Sequence, residues 1–171
     1  MASLFGHGLL GYTFAKVLPK KQIKTVLWLA IFSAILPDID VLSFKMGIPY
    51  ENWLGHRGFT HSIVFAVLWA IVCAYFFGKQ NKIIFFTVVF LATLSHGVLD
   101  AMTTGGLGVG FLIPFENSRY FFPFRPIQVS PIGIEKFFSA WGLKVILSEI
   151  IWIGVPCIVI LVINRMKNKN D

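Results

Sequence analysis

Charge is what this sequence has least of. Only 13% of its 171 residues are Asp, Glu, Lys or Arg, about half the share of a soluble domain. So few ionic groups cannot cover a water-facing surface, which excludes an ordinary soluble globule. Acids are the scarcer sign, eight against fifteen Lys and Arg, for a formal net charge of +7. The cations cluster at the ends of apolar runs, so they read as membrane topology and not as a nucleic-acid stripe. Cysteine is almost absent. Cys73 and Cys157 both lie inside apolar runs and read as small core hydrophobes, with no disulfide implied. No Lys or Arg precedes the first apolar stretch and no small-residue cleavage site follows it, so a removable signal peptide is not expected. Repeats and low-complexity tracts are missing.

What is present is hydrocarbon. Hydrophobic residues make up 56% of the chain and Phe alone occurs 18 times, with a mean hydropathy of +0.75. The expected fold is all-α: a single membrane-embedded domain over residues 1–171, a polytopic bundle of about five transmembrane helices with an interfacial aromatic loop. The first apolar segment runs from Ser3 to Leu18, with Gly8, Gly11 and Ala15 at helical spacing so that a neighbour can approach closely. The second runs from Ile23 to Leu36 and is ended by Pro37; it is short for a bilayer of ~30 Å, which leaves room for an extension through Asp40 into the headgroup region. A polar connection, Asp38 to Phe59, leads to Thr60 as N-cap of a third helix ending at Phe77. A basic turn, Gly78 to Lys82, precedes a fourth helix, Ile83 to Met102. Phe111 to Ile134 is aromatic and Pro-rich and holds Arg119 and Arg125, which suits headgroup depth. Glu135 to Trp141 begins an interfacial helix, and Leu143 to Ile163 is the fifth span, interrupted by Glu149 and Pro156.

The segments after helices one, three and five hold nine of the fifteen Lys and Arg, with Asp171 their only acid. The basic loops and C-terminus are therefore expected in the cytoplasm, with the N-terminus and both long loops outside. This topology places every histidine at one membrane face. His7 starts helix one, Asp38 and Asp40 follow helix two, His56 and His61 bracket the start of helix three, and His96 and Asp100 end helix four. Buried Asp and His in hydrocarbon are expensive unless paired or ligated. Imidazole with carboxylate suits Zn²⁺, with Mn²⁺ or Fe²⁺ as alternatives. His96 and Asp100, four apart, share a helix face. Seven candidates exceed the ligand count of one tetrahedral ion, which favours one or two ions with orienting partners. Glu149 is a further, weaker candidate.

Gly6-His7, Leu36-Pro37-Asp38-Ile39-Asp40, His56-Arg57-Gly58-Phe59-Thr60-His61-Ser62 and Ser95-His96-Gly97-Val98-Leu99-Asp100 together resemble the YdjM-like family. Its members are described as bacterial and archaeal inner-membrane, metal-dependent hydrolases. On matching positions the resemblance implies His7, Asp38, His61, His96 and Asp100 as ligands, with Asp40 and His56 nearby. The family also resembles, distantly, zinc-dependent phospholipase C and P1-type nucleases. This sequence lacks their downstream His-x-x-x-Glu pair and an N-terminal Trp, so one or two metals are expected instead of three.

The expectation that follows is a phosphoester hydrolase acting on a lipid or lipid-linked substrate at the outer leaflet. Asp38, Asp40 or His56 would handle the proton, and Arg57, Arg119 and Arg125 would clamp phosphate. Tyr120 to Phe124 would line an acyl-chain path. Membrane lipids are the expected partners and nucleic acid is not. The competing classes are a metal transporter or sensor, a structural metal staple, and an intramembrane metalloprotease, for which the His-Glu-x-x-His pattern is absent.

Overall fold

The computed structural model describes residues 1–19, 23–79, 81–131 and 134–170. Lys20, Lys21 and Asp171, which the charge pattern uses, and Gln80 of the basic turn lie outside the described residues. The chain is all-helical: α1 Leu4–Val17, α2 Lys24–Ile35, α3 Leu42–Lys45, α4 Ile63–Phe77, α5 Lys82–Ala101, α6 Ile134–Phe137, α7 Ala140–Glu149 and α8 Val155–Asn170. Helix α3 follows α2 directly through a 3₁₀ turn, Leu36–Val41, and α7 runs into α8 through a π-helical turn, Ile150–Gly154. Five long helical bodies therefore form the bundle, and α3 and α6 are single turns.

Three of these bodies are long and apolar enough to cross a membrane: Lys24–Lys45, Lys82–Ala101 and Ala140–Lys169. Helices α1 and α4, with 14 and 15 residues, reach about 21–22 Å at 1.5 Å per residue, short of a bilayer core of ~30 Å. Their outward apolar residues, such as Leu68, Ile71 and Phe76 on α4, are half exposed or more. That surface suits lipid and not water. Helix α5 is the axis of the bundle, packing against α1, α2 and α4, while α1 also meets α8.

Small residues set the closest approach. A Cβ on Gly11 would stand 2.6 Å from the Ala30 carbonyl, so α1 and α2 meet where the glycine spacing predicts. Below that contact Ala15, Val26, Ala30, Ala74, Phe85 and Val88 form an apolar core.

Four local expectations are corrected. Pro37 ends the α-helix proper but not the helical run, which passes the expected limit at Asp40. As the second residue of a 3₁₀ turn it needs no N–H partner, and the chain stays helical to Lys45. Thr60 does not cap the third. Ser62 does, accepting from the Phe65 N–H, while Thr60 lies in a 3₁₀ turn, Phe59–His61, just before α4. The fifth span is not broken at Pro156 either. Pro156 has no N–H to give to an earlier carbonyl, and the π turn that ends at Gly154 precedes it in an unbroken helical run. The expected interfacial helix at 135–141 is two pieces, the single turn α6 and then α7, whose N-cap Ser139 accepts from the Gly142 N–H.

Candidate metal centre

Four elements end at the same pole of the bundle and deliver its polar residues there. Helix α1 brings His7 in its first turns, and α5 brings His96 and Asp100 in its last. The 3₁₀ turn after α2 carries Asp38 and Asp40. At three residues per turn these two lie about 240° apart around the axis, so they face different neighbours. The 3₁₀ turn before α4 supplies His61, and the loop ahead of it His56. His7, His56, His61, His96, Asp40 and Asp100 are all buried.

What marks this pole is a set of polar atoms with no hydrogen-bond partner. His61 Nε2, His96 Nε2, both oxygens of Asp38, Asp100 Oδ2 and both nitrogens of His7 are buried and unsatisfied. A buried polar atom left in that state costs about 1–3 kcal/mol. Here they crowd together. His96 Nε2 is 3.3 Å from Asp38 Oδ1, and His61 Nε2 is 3.6 Å from Asp100 Oδ2 and 3.9 Å from Asp38 Oδ1. One ligand atom from each of Asp38, His61, His96 and Asp100 falls within 4.8 Å of all the others. Ligands about 2.0–2.1 Å from a tetrahedral ion stand roughly 3.3 Å from one another. Two imidazoles and two carboxylates at this spacing therefore fit a divalent cation.

The far side of each imidazole is anchored. His96 Nδ1 donates to the Ala34 carbonyl, 2.7 Å away. A carbonyl only accepts, so Nδ1 holds the proton and Nε2 of the neutral ring keeps its lone pair toward the cluster. His61 Nδ1 lies 3.0 Å from Asp40 Oδ2. That oxygen also accepts from the Thr60 hydroxyl at 2.7 Å and the Arg57 backbone N–H at 3.0 Å. Asp40 Oδ1 takes His56 Nδ1 at 2.6 Å. Asp40 is thus a hub that holds two imidazoles in place, the carboxylate–histidine arrangement that orients metal ligands. His56, Asp40 and Asp38 form a second group of candidate ligands. His7 stacks on His96 with ring centroids 3.6 Å apart, and its Nε2 sits 3.4 Å from Asp100 Oδ1. It borders the four-residue cluster.

Arg57 departs from its expected place. Its φ of 61° lies in the left-handed region, which a non-glycine residue adopts only when its surroundings enforce it. The side chain is 1% exposed. Its Nε is 2.9 Å from Asp100 Oδ2, an ion pair without the alignment of a hydrogen bond. Its two terminal nitrogens donate to the Gly105 carbonyl at 2.9 Å and the Thr103 hydroxyl at 3.1 Å. All three nitrogens are engaged within the protein, so the guanidinium balances Asp100 and has no fork left for phosphate. Gly106, at φ +93°, leaves the room this needs, since a Cβ there would lie 2.7 Å from an Arg57 terminal nitrogen.

Arg119 is also a strut. It donates to the carbonyls of His56, Tyr50 and Asn52 at 2.8, 2.8 and 3.0 Å. Arg125 is exposed with its guanidinium 4.7 Å from the Phe121 ring centroid. Tyr50 meets His56 edge-on at 5.2 Å. Burial raises its phenol above the ordinary range against the pull of Arg57, so this wall of His56 is neutral. Glu149 is not in the cluster. Its carboxylate accepts from the backbone N–H and hydroxyl of Ser3, and ties α7 to the start of α1.

The sequence reading missed Thr60 as a partner of Asp40, the Ala34 carbonyl, and the Thr103–Gly105 seat of Arg57. Thr60 sits inside the His-Arg-Gly-x-Thr-His-Ser run, which was the available signal. A backbone carbonyl leaves no mark in sequence.

No solved structure matches this chain. It is 41% identical over 146 residues to the inner membrane protein YbcI of Escherichia coli (strain K12), covering 83% of this chain and 82% of that one. The family model for YdjM inner membrane protein matches residues 1–170. With a match across nearly its whole length, and a bundle that can cross a bilayer, the chain belongs to the YdjM inner membrane protein family.

Proposed function

We propose that this inner membrane protein is a metal-dependent hydrolase that cleaves a phosphoester of a lipid or lipid-linked substrate at the outer face of the membrane. The observation that carries the reading is the group of unsatisfied buried atoms on Asp38, His61, His96 and Asp100. Together they would hold one divalent ion, zinc by the mixture of nitrogen and oxygen donors. A second ion would have to sit in the Asp38–Asp40–His56 group, in place of the hydrogen bond between His56 Nδ1 and Asp40. When bound, such an ion supplies Lewis acidity and lowers the pKa of water toward neutrality.

The chain's own residues do the rest. Asp40 and the Ala34 carbonyl hold the His61 and His96 rings so that both Nε2 atoms face inward. His56 has its Nδ1 engaged by Asp40, which leaves Nε2 to accept or return a proton, as in other carboxylate-held imidazoles. Asp38, with both oxygens unpaired, can accept a proton as well as ligate. Arg57 offsets the charge of Asp100 and positions it. Arg125 is the arginine left to meet a phosphate.

Two observations favour this reading over transport. The cluster sits at one pole. Beyond it the buried hydroxyls of Thr13 and Thr93 are spent on carbonyls of their own helices and Ser33 on Trp69, so among the described residues no polar ladder leads across. The cations support the outward orientation. Lys16, Lys24, Lys79, Lys82, Arg165, Lys167 and Lys169 all lie near the helix ends opposite the cluster, the end that the positive-inside rule assigns to the cytoplasm.

The test is turnover of phosphatidic acid and of a polyprenyl phosphate by purified protein in detergent, before and after chelation and zinc add-back. Phosphate release that stops on chelation and returns with zinc is expected. Release that survives chelation, or none from either lipid with zinc bound, overturns the reading.

A further inference from the structure

A cavity of about 710 Å³ opens beside the cluster, between the N-terminal turn of α1, the end of α2 with its 3₁₀ turn, and the α6–α7 connection. Its walls are apolar, with Phe5 from α1, Phe32, Ile35 and Ile39 from the α2 side, and Phe137 from α6. The volume is that of an ordinary small-molecule site.

Met1, Ser3 and Ser130 add a few polar atoms to the wall, and one lining residue is an acid. Asp38 lines this cavity, its side chain is 8% exposed, and neither of its oxygens has a hydrogen-bond partner. The same carboxylate lies 3.3 Å from His96 Nε2. Both Asp38 oxygens are themselves buried, so Asp38 is the wall shared by the cavity and the candidate metal centre.

The other approach is closed. On the loop side Arg57 is buried over Asp100 and bonded to Thr103 and Gly105, and Arg119 pins the 50–56 loop. His96 and Asp100 have no exposed surface. A water-soluble molecule would meet this plug from the aqueous side or a wall of aromatic hydrocarbon from the lateral side. The lateral mouth lies where α1 begins and α2 ends, at headgroup depth for a bundle of this length.

We infer that this cavity receives the hydrocarbon chain of a single membrane amphiphile and thereby presents its phosphoester head to the Asp38 side of the cluster. The fate of the head rests on the proposed hydrolase reading, while the binding does not. The chain path runs between α1, α2 and α6, and not along the Tyr120–Phe124 stretch that the sequence suggested.

The experiment uses the full chain in lipid nanodiscs with zinc, and two probes that cannot be hydrolysed. One is a long-chain alkyl phosphonate with a diazirine in its tail, the other the alcohol of the same chain. Photolabelled residues are mapped by mass spectrometry. The phosphonate should label the peptides holding Phe5, Ile35 and Ile39 about tenfold more than the alcohol does, because a charged head adds charge-assisted contacts that a hydroxyl lacks. Ile39→Trp, which fills the cavity, should remove that excess while bound zinc is unchanged. Should the Ile39 variant lose zinc, Ile35→Trp, on the adjoining wall, replaces it. Equal labelling by both probes, or phosphonate labelling spread evenly along the lipid-facing side of α8, would mean ordinary boundary lipid and overturn the inference. Because labelling needs no turnover, an excess without hydrolysis would sink only the hydrolase reading. Hydrolysis without an excess would sink only the cavity.

Discussion

At the basic pole of the bundle the buried side chains are Ala15, Val26, Ala30, Ala74, Phe85 and Val88, packed as hydrocarbon on hydrocarbon. At the opposite pole the same helices bury four histidines, Asp40, Asp100 and Arg57, several with atoms facing no partner. The first pole gains stability in proportion to area and shape, and any apolar residue of fitting volume serves. The second carries groups whose burial in a membrane is costly, in a geometry where each ring is held from behind. Burial at that pole is organised around what the rings face, and the helices around Gly11 supply the rigidity. The comparison predicts that substitutions at the polar pole change metal binding first, and those at the apolar pole change stability alone.

The largest effect belongs to the cluster. His96→Ala and Asp100→Ala should each lower zinc affinity by at least about 100-fold, since each removes a direct ligand and leaves other charge unbalanced. Competition titration against a chromophoric chelator reads this, and wild-type affinity in either variant would remove that residue from the site. Arg57→Ala comes next. It removes the nearest cation from the buried Asp100 and leaves the Met1 ammonium at 3.9 Å and the Ala2 N–H at 2.8 Å, a loss of about 3 kcal/mol in unfolding free energy, measured by thermal unfolding in detergent without metal. Bound zinc should recover part of that loss, because the ion then balances Asp100. Asp40→Asn keeps the shape but weakens the hold on His61 and His56. A drop of roughly 10–100-fold in zinc affinity with little change in melting temperature is expected. The smallest effect tests the other pole. Val88→Ala should cost about 1–2 kcal/mol of stability through a cavity and leave zinc affinity untouched. A shift in affinity there would show that the two poles are not separate.

Much of this could be read from the sequence, for identifiable reasons. The gathering of His7, Asp38, His61, His96 and Asp100 at one pole follows from alternating helix direction alone, and the i, i+4 spacing of His96 and Asp100 fixes their shared face. Glycine spacing located the contact of α1 with α2. Other features depend on tertiary context. Pro37 reads as a stop because proline usually is one, yet the first residues of a 3₁₀ turn tolerate it. Arg57 reads as a phosphate clamp because a guanidinium fork matches phosphate oxygens. Its burial depends on a left-handed backbone and on room beside Gly106 that only the folded loop reveals. Asp38 and Asp40, two residues apart, look interchangeable in sequence. The 3₁₀ turn sends one into the cluster and the other behind it.

The most direct test of the account is X-ray absorption on the purified chain after zinc loading and removal of excess metal. The account predicts a first shell of nitrogen and oxygen alone at about 2.0–2.1 Å, with the outer-shell scattering of two imidazoles that disappears in part with His96→Ala. A protein that retains no zinc, or a shell containing sulfur from Cys73 or Cys157, would contradict it.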